Sequence, residues 1–132
     1  MQKIKKILSR RYPAILWTLI IFILLALPGT MLPSEGNFKI PNFDKYVHIS
    51  IFCLFVLLWS IYYGTKPHTK NRHIFFVIFI AACLYGTAME FVQKYFIPFR
   101  DFDLYDILAD VVGACIGYLL MRLTINWWKR TE

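Results

Sequence analysis

The chain has 132 residues, of which 58% are hydrophobic, 18% aromatic and only 17% charged, and it carries a net charge of +7. An ordinary soluble domain is roughly 45–50% apolar and about 25% charged. This balance argues against a soluble enzyme domain, a disordered chain and a disulfide-rich secreted module, and it predicts an all-α, polytopic membrane protein.

Four apolar spans are predicted in chain order, at about 12–31, 44–63, 73–95 and 103–123, within one transmembrane domain covering 1–132. Each is near the roughly 17–25 residues that a membrane-crossing helix needs. The first follows a basic segment and opens with Pro13, which suits a first helical turn. Trp17 is expected near an interface. Pro28, Gly29 and Pro33 end this span, and no small-x-small cleavage site follows it, so it is read as retained. Turn-forming Gly36, Asn37, Pro41 and Asn42 make the loop before the second span, where Asp44 is a candidate N-cap. Gly64, Thr65 and Pro67 stop the second span, a short basic loop follows, and Pro98 closes the third. Asp103 is a candidate N-cap of the fourth span, which Trp127, Trp128, Lys129 and Arg130 anchor at its far end. Cys53, Cys83 and Cys115 fall one per span, without CxxC spacing, and read as buried packing residues.

Basic residues are sorted by loop. Eleven of the 15 lie before the first span, between the second and third, or after the fourth; the other four are Lys39, Lys45, Lys94 and Arg100. A Lys/Arg excess in short loops marks the cytoplasmic side, which predicts cytoplasmic N- and C-termini. All acids except Glu132 lie toward the opposite side. The positive charge therefore suits a lipid bilayer surface, and nucleic acid is not an expected partner.

Ionisable groups inside a span are costly and by default mark a functional site. Here they form stripes. Asp44 and His48 are four apart, on one face. Gly86, Glu90 and Gln93 share a face of the third span. Asp103, Asp106, Asp110, Gly113 and Gly117 share a narrow face of the fourth, opposite Leu104, Leu108, Val112, Ile116 and Leu119. A small bundle has one interior, so the stripes are expected to converge there. The expected binding site comprises Asp44, Lys45, His48, Glu90, Gln93, Arg100, Asp103, Asp106 and Asp110, with His48, Glu90 and Asp106 as the catalytic candidates should the protein be an enzyme. Asp110 is expected to be neutral or hydrogen-bonded to His48 or Gln93, and Asp101 to be a solvated loop charge. Gly86, Gly113 and Gly117 are assigned to helix packing, the last two forming a GxxxG pattern. One histidine with two carboxylates could hold a divalent cation, carboxylates suiting Mg²⁺ or Mn²⁺ and histidine Zn²⁺, but the spacing is no recognised metal motif, so neither a metal nor a cofactor is assigned.

The Asp44-Lys45-x-x-His48 opening, the Glu90-x-x-Gln93 pair, then Arg100, Asp106 and the glycines resemble the signature of VanZ-like membrane proteins over about residues 43–120. Aspartates replace that pattern's usual serine at 103 and asparagine at 110. The resemblance implies a small bacterial inner-membrane protein of the cell envelope, in a family whose namesake is linked to resistance to teicoplanin-type glycopeptides. Three functions are then in view. The protein binds a lipid or lipid-linked cell-wall precursor, with Arg100 and Lys45 on its phosphate. Alternatively it is an intramembrane enzyme, acid/base or metal-assisted, modifying such a lipid. In the third, it is a cation-coupled transporter, for which an oligomer would supply the missing half of the path.

Overall fold

The computed structural model describes residues 2–31, 41–66 and 73–129. Most of the turn-rich loop before the second span and of the basic loop after it lies outside these residues, as do Arg130 and the side chains of Trp128 and Lys129. The described elements are all helical: α1 (Gln2–Leu8), α2 (Arg11–Leu25), a 3-10 turn (Gly29–Met31), α3 (Phe43–Gly64), α4 (His73–Phe96) and α5 (Leu104–Lys129).

Three of them, α3, α4 and α5, are long and apolar enough to cross a membrane. The fourth candidate span is divided. Helices α1 and α2 qualify only together, and they bend by 60° where they meet. The break falls at Ser9-Arg10, just ahead of Arg11 and Pro13. Arg10 is extended and Ser9 Oγ donates back to the Lys6 carbonyl, so the chain turns before Pro13 enters the first turn of α2. The protein is thus a small helical membrane bundle with a bent leading segment.

Lipid tails offer no hydrophobic drive for one helix to seek another, so packing and polar contacts must hold the bundle. The seam between α3 and α5 shows how. A Cβ added at Gly113 would land on the Ile49 carbonyl, and one at Gly117 would stand 2.6 Å from the Cys53 carbonyl oxygen. Only hydrogen at these positions lets the two backbones close. Ala114 is fully buried beside them, while Leu104, Leu108, Val112, Ile116, Leu119 and Leu123 face outward. Phe52, Val56, Ile21, Ala82, Met121 and Ile125 fill the core.

Helix α2 is tied on by side chains. Trp17 donates its indole N–H to the Ile51 carbonyl at 3.0 Å, Trp59 donates to Thr18 Oγ1 at 3.1 Å, and Tyr85 donates to the Thr18 carbonyl at 2.9 Å. Trp17 therefore pins α2 to α3. The cysteines depart from expectation. Cys53 and Cys83 are half-buried and Cys115 is exposed, because it falls on the outward side of α5 next to Ile116. Depth along a span says nothing about which way a residue faces.

Candidate functional site

The up-and-down order of the helices brings the N-terminal turns of α3 and α5 and the C-terminal turns of α4 to one end of the bundle. Every polar stripe lies in those turns. From α3 come Asp44, Lys45 and His48; from α4, Glu90 and Gln93; from α5, Asp106 and Asp110, with Asp103 just before it.

Lys45 organises the rim. Its ammonium donates to Asp44 at 2.7 Å, to Asp103 at 2.6 Å and to Asp106 at 2.5 Å. An ammonium has three protons, so all of them are committed to carboxylates. The hydrogen bond from Lys45 holds the Asp103 carboxyl below its ordinary value. Asp103 also caps α5: its carboxylate accepts the Tyr105 N–H at 2.8 Å. Asp44 does not cap α3. That place belongs to Asn42, which is left-handed and makes no side-chain cap bond, and Asp44 is the second residue of the helix, in its first turn, where its charge suits the helix N-terminus.

Behind the rim, His48 Nδ1 lies 2.7 Å from Asp110 Oδ1. Its other nitrogen, Nε2, faces Asp106 Oδ2 at 3.8 Å, too far for a hydrogen bond. Gly86 makes the first contact achievable, because a Cβ there would collide with the Asp110 carboxylate. Glu90 Oε2 accepts the Asp103 backbone N–H at 3.1 Å. Its Oε1 is buried without a partner, as is Asp110 Oδ2. One donor atom from each of His48, Glu90 and Asp106 lies within 4.8 Å of the others, and Asp44, Asp103 and Asp106 make a second such group.

Exposure falls steeply inward. The side chains of Asp44 and Asp103 are 47% and 39% exposed, those of Lys45 and Asp106 21% and 11%, and those of His48 and Asp110 5% and 1%. The cluster is open at the rim and closed below it.

Two expected members stand apart. Gln93 is buried, but its Nε2 donates to the Leu25 carbonyl at 2.9 Å. It thereby satisfies the end of α2, whose last carbonyls have no helical partner, instead of joining the acids. Arg100 is half-buried in the turn before α5 and forms no ion pair among the described residues; its Nε is buried without a hydrogen-bond partner. Asp101 is exposed. The Asp103 backbone N–H is a site member that side-chain patterns do not show, since any residue at 103 would supply it. The turn made by Pro98 and left-handed Phe99 was the available hint that the backbone doubles back there.

A relative in Schizosaccharomyces pombe, an uncharacterized protein, is 32% identical over 102 residues. The alignment covers 77% of this chain and 60% of that protein, so the chain spans about three-fifths of its relative's length. No solved structure matches the chain. The family profile of VanZ/LLP1 matches residues 11–125, a stretch that takes in α2 to α4, α5 as far as Ile125, and every residue of the polar cluster. With its D-K-x-x-H and E-x-x-Q stripes on separate helices of a membrane bundle, the chain belongs to the VanZ/LLP1 family.

Proposed function

We propose that this multi-pass membrane protein binds the polar headgroup of a membrane lipid, or of a lipid-linked envelope component, at the non-cytoplasmic end of its bundle. The observation that carries the reading is the graded cluster itself: ionisable side chains from three spans converge at one end, exposed at the rim and sealed beneath. Such groups are costly in a bilayer and persist where they serve a ligand or a pathway. The basic residues Lys5, Lys6, Lys66 and Arg122 lie toward the other end, which supports cytoplasmic termini and a cluster facing away from them. A link to teicoplanin-type resistance, and with it a bacterial inner membrane, enters the proposal only because the family's namesake suggests them. A relative in fission yeast favours a headgroup common to both kinds of cell.

The division of labour follows from the contacts. Lys45 is already held by three carboxylates, so the grip on a phosphate falls to Arg100, whose guanidinium is not paired with an acid among the described residues. Asp44 and Asp103 accept hydrogen bonds from headgroup hydroxyls or amines. Lipid retained by the purified protein tests this directly. Mass spectrometry of wild type should find one enriched lipid class, and Arg100→Ala should lose most of it while melting at the wild-type temperature. Equal lipid profiles in the two proteins would overturn the reading.

A second reading, an intramembrane enzyme acting on the same lipid, is favoured by the His48–Asp110 contact at 2.7 Å. A carboxylate on one ring nitrogen orients an imidazole as a general base through the other.

A further inference from the structure

The contacts below the rim leave one unused donor atom on each of three buried side chains. His48 engages Asp110 through Nδ1, which leaves Nε2. Asp106 engages Lys45 through Oδ1, which leaves Oδ2. Glu90 engages the Asp103 N–H through Oε2, which leaves Oε1, in a residue with no solvent exposure at all. We propose that His48, Glu90 and Asp106 hold a divalent transition-metal cation, Zn²⁺ or Mn²⁺, with Nε2, Oε1 and Oδ2 as its ligands.

Four physical arguments support the assignment. The first is spacing. Nε2 and Oδ2 are 3.8 Å apart and all three residues offer a donor within 4.8 Å of the others. Ligands at about 2.0–2.2 Å from a shared ion stand roughly 3–4 Å from each other. The second is satisfaction. A buried carboxylate oxygen without a partner is costly, and Glu90 Oε1 is one. An ion would satisfy it together with Nε2 and Oδ2. The third is charge. Two carboxylates and a dication sum to zero, which a low-dielectric interior favours over two bare anions. The fourth is orientation. A metal-bound histidine commonly gives its other ring N–H to a carboxylate, which fixes the tautomer, and Asp110 stands in that place. Each ligand is positioned by a different outer partner: Asp110, the Asp103 backbone and Lys45. The imidazole donor turns the choice toward Zn²⁺ and away from Mg²⁺ or Ca²⁺, which take oxygen alone, while the two carboxylates also suit Mn²⁺.

This site does not depend on the lipid reading, since the three ligands are complete without a headgroup. The experiment uses full-length, tag-free protein in detergent, stripped with a chelator and then titrated with ZnCl₂ or MnCl₂ alone. One ion per chain is expected, with a rise in melting temperature. Bound Mn²⁺ should show nitrogen hyperfine coupling in its electron paramagnetic resonance spectrum. Glu90→Gln keeps an oxygen for the Asp103 N–H and should fold, yet bind at least tenfold more weakly. His48→Gln should lose the nitrogen coupling. Folded wild type that takes up neither ion, or variants that bind as wild type does, would overturn the proposal. Lipid carried by the same samples is measured in parallel, so loss of one ligand is separable from loss of the other.

Discussion

Gly113→Leu should part α3 from α5 and destabilise the folded bundle by about 3 kcal/mol, at the upper end of the overpacking range. A single methyl at 113 already meets the Ile49 carbonyl, which is backbone inside a helix and has no rotamer to yield. The two helices must then separate along their length. That would empty the space filled by Ala114 and loosen the contact of His48 with Asp110, since those residues sit on the same two helices a turn nearer the rim. Gly117→Ala should cost less, because its Cβ would stop 2.6 Å from the Cys53 oxygen. Ile116→Leu, on the outward face, should change stability by under about 0.5 kcal/mol. Reversible unfolding in mixed micelles gives all three values. Wild-type stability in Gly113→Leu would show that the seam is not where the structure puts it.

Lys45→Met should be nearly as damaging, for an electrostatic reason. It strands three carboxylates, those of Asp44, Asp103 and Asp106, that share one ammonium. Removing one partner of a buried pair costs more than the pair contributes, and partial exposure of the rim lessens that penalty. The expected loss is on the order of 2–4 kcal/mol at neutral pH. Its pH dependence has a definite sign. The Asp103 carboxyl is held below its ordinary value of 3.8 by Lys45, so this stabilisation is complete above 3.8 and is lost as pH falls through the lowered value. The gap between wild type and variant must therefore shrink on acidification from about pH 6 to about pH 3. Thermal unfolding of both proteins across that range checks it, and a gap that widens on acidification contradicts it.

Much of this arrangement was legible in the residues. The i, i+3, i+7 spacing of Asp103, Asp106 and Asp110, carried on to Gly113 and Gly117, places five residues on one face of a helix. That face has one interior to turn toward, so its meeting with His48 and Glu90 follows from the cost of charge in lipid. The contact between Asp110 and His48 was one of the two pairings expected for Asp110. Periodicity stops there, because it assigns a residue to a face and not to a partner. Gln93 shares a stripe with Glu90 yet bonds to Leu25, since the open end of α2 is a demand that no local pattern in α4 records. Lys45 was expected to meet a ligand and meets three aspartates: its neighbour Asp44 and, 58 and 61 residues away, Asp103 and Asp106, which no local pattern around Lys45 records. Arg100 was expected in the site with Lys45 and forms no ion pair among the described residues. The bend at Ser9-Arg10 also escaped, as a helix break with no glycine or proline at the break itself carries a weak local signal.

The central claim is that charge-bearing side chains of three membrane helices share one enclosed space. Nitrogen-to-carbon dipolar recoupling by solid-state NMR measures it in lipid bilayers, with labelled histidine and labelled Asp and Glu carboxyl groups. The chain has only three histidines, so His48 is assignable with His68→Asn and His73→Asn variants. The account predicts that His48 nitrogens couple to carboxyl groups of Asp110, Asp106 and Glu90, at separations matching contacts of 2.7 Å, 3.8 Å and no more than 4.8 Å. A His48 ring with no carboxylate neighbour would contradict it.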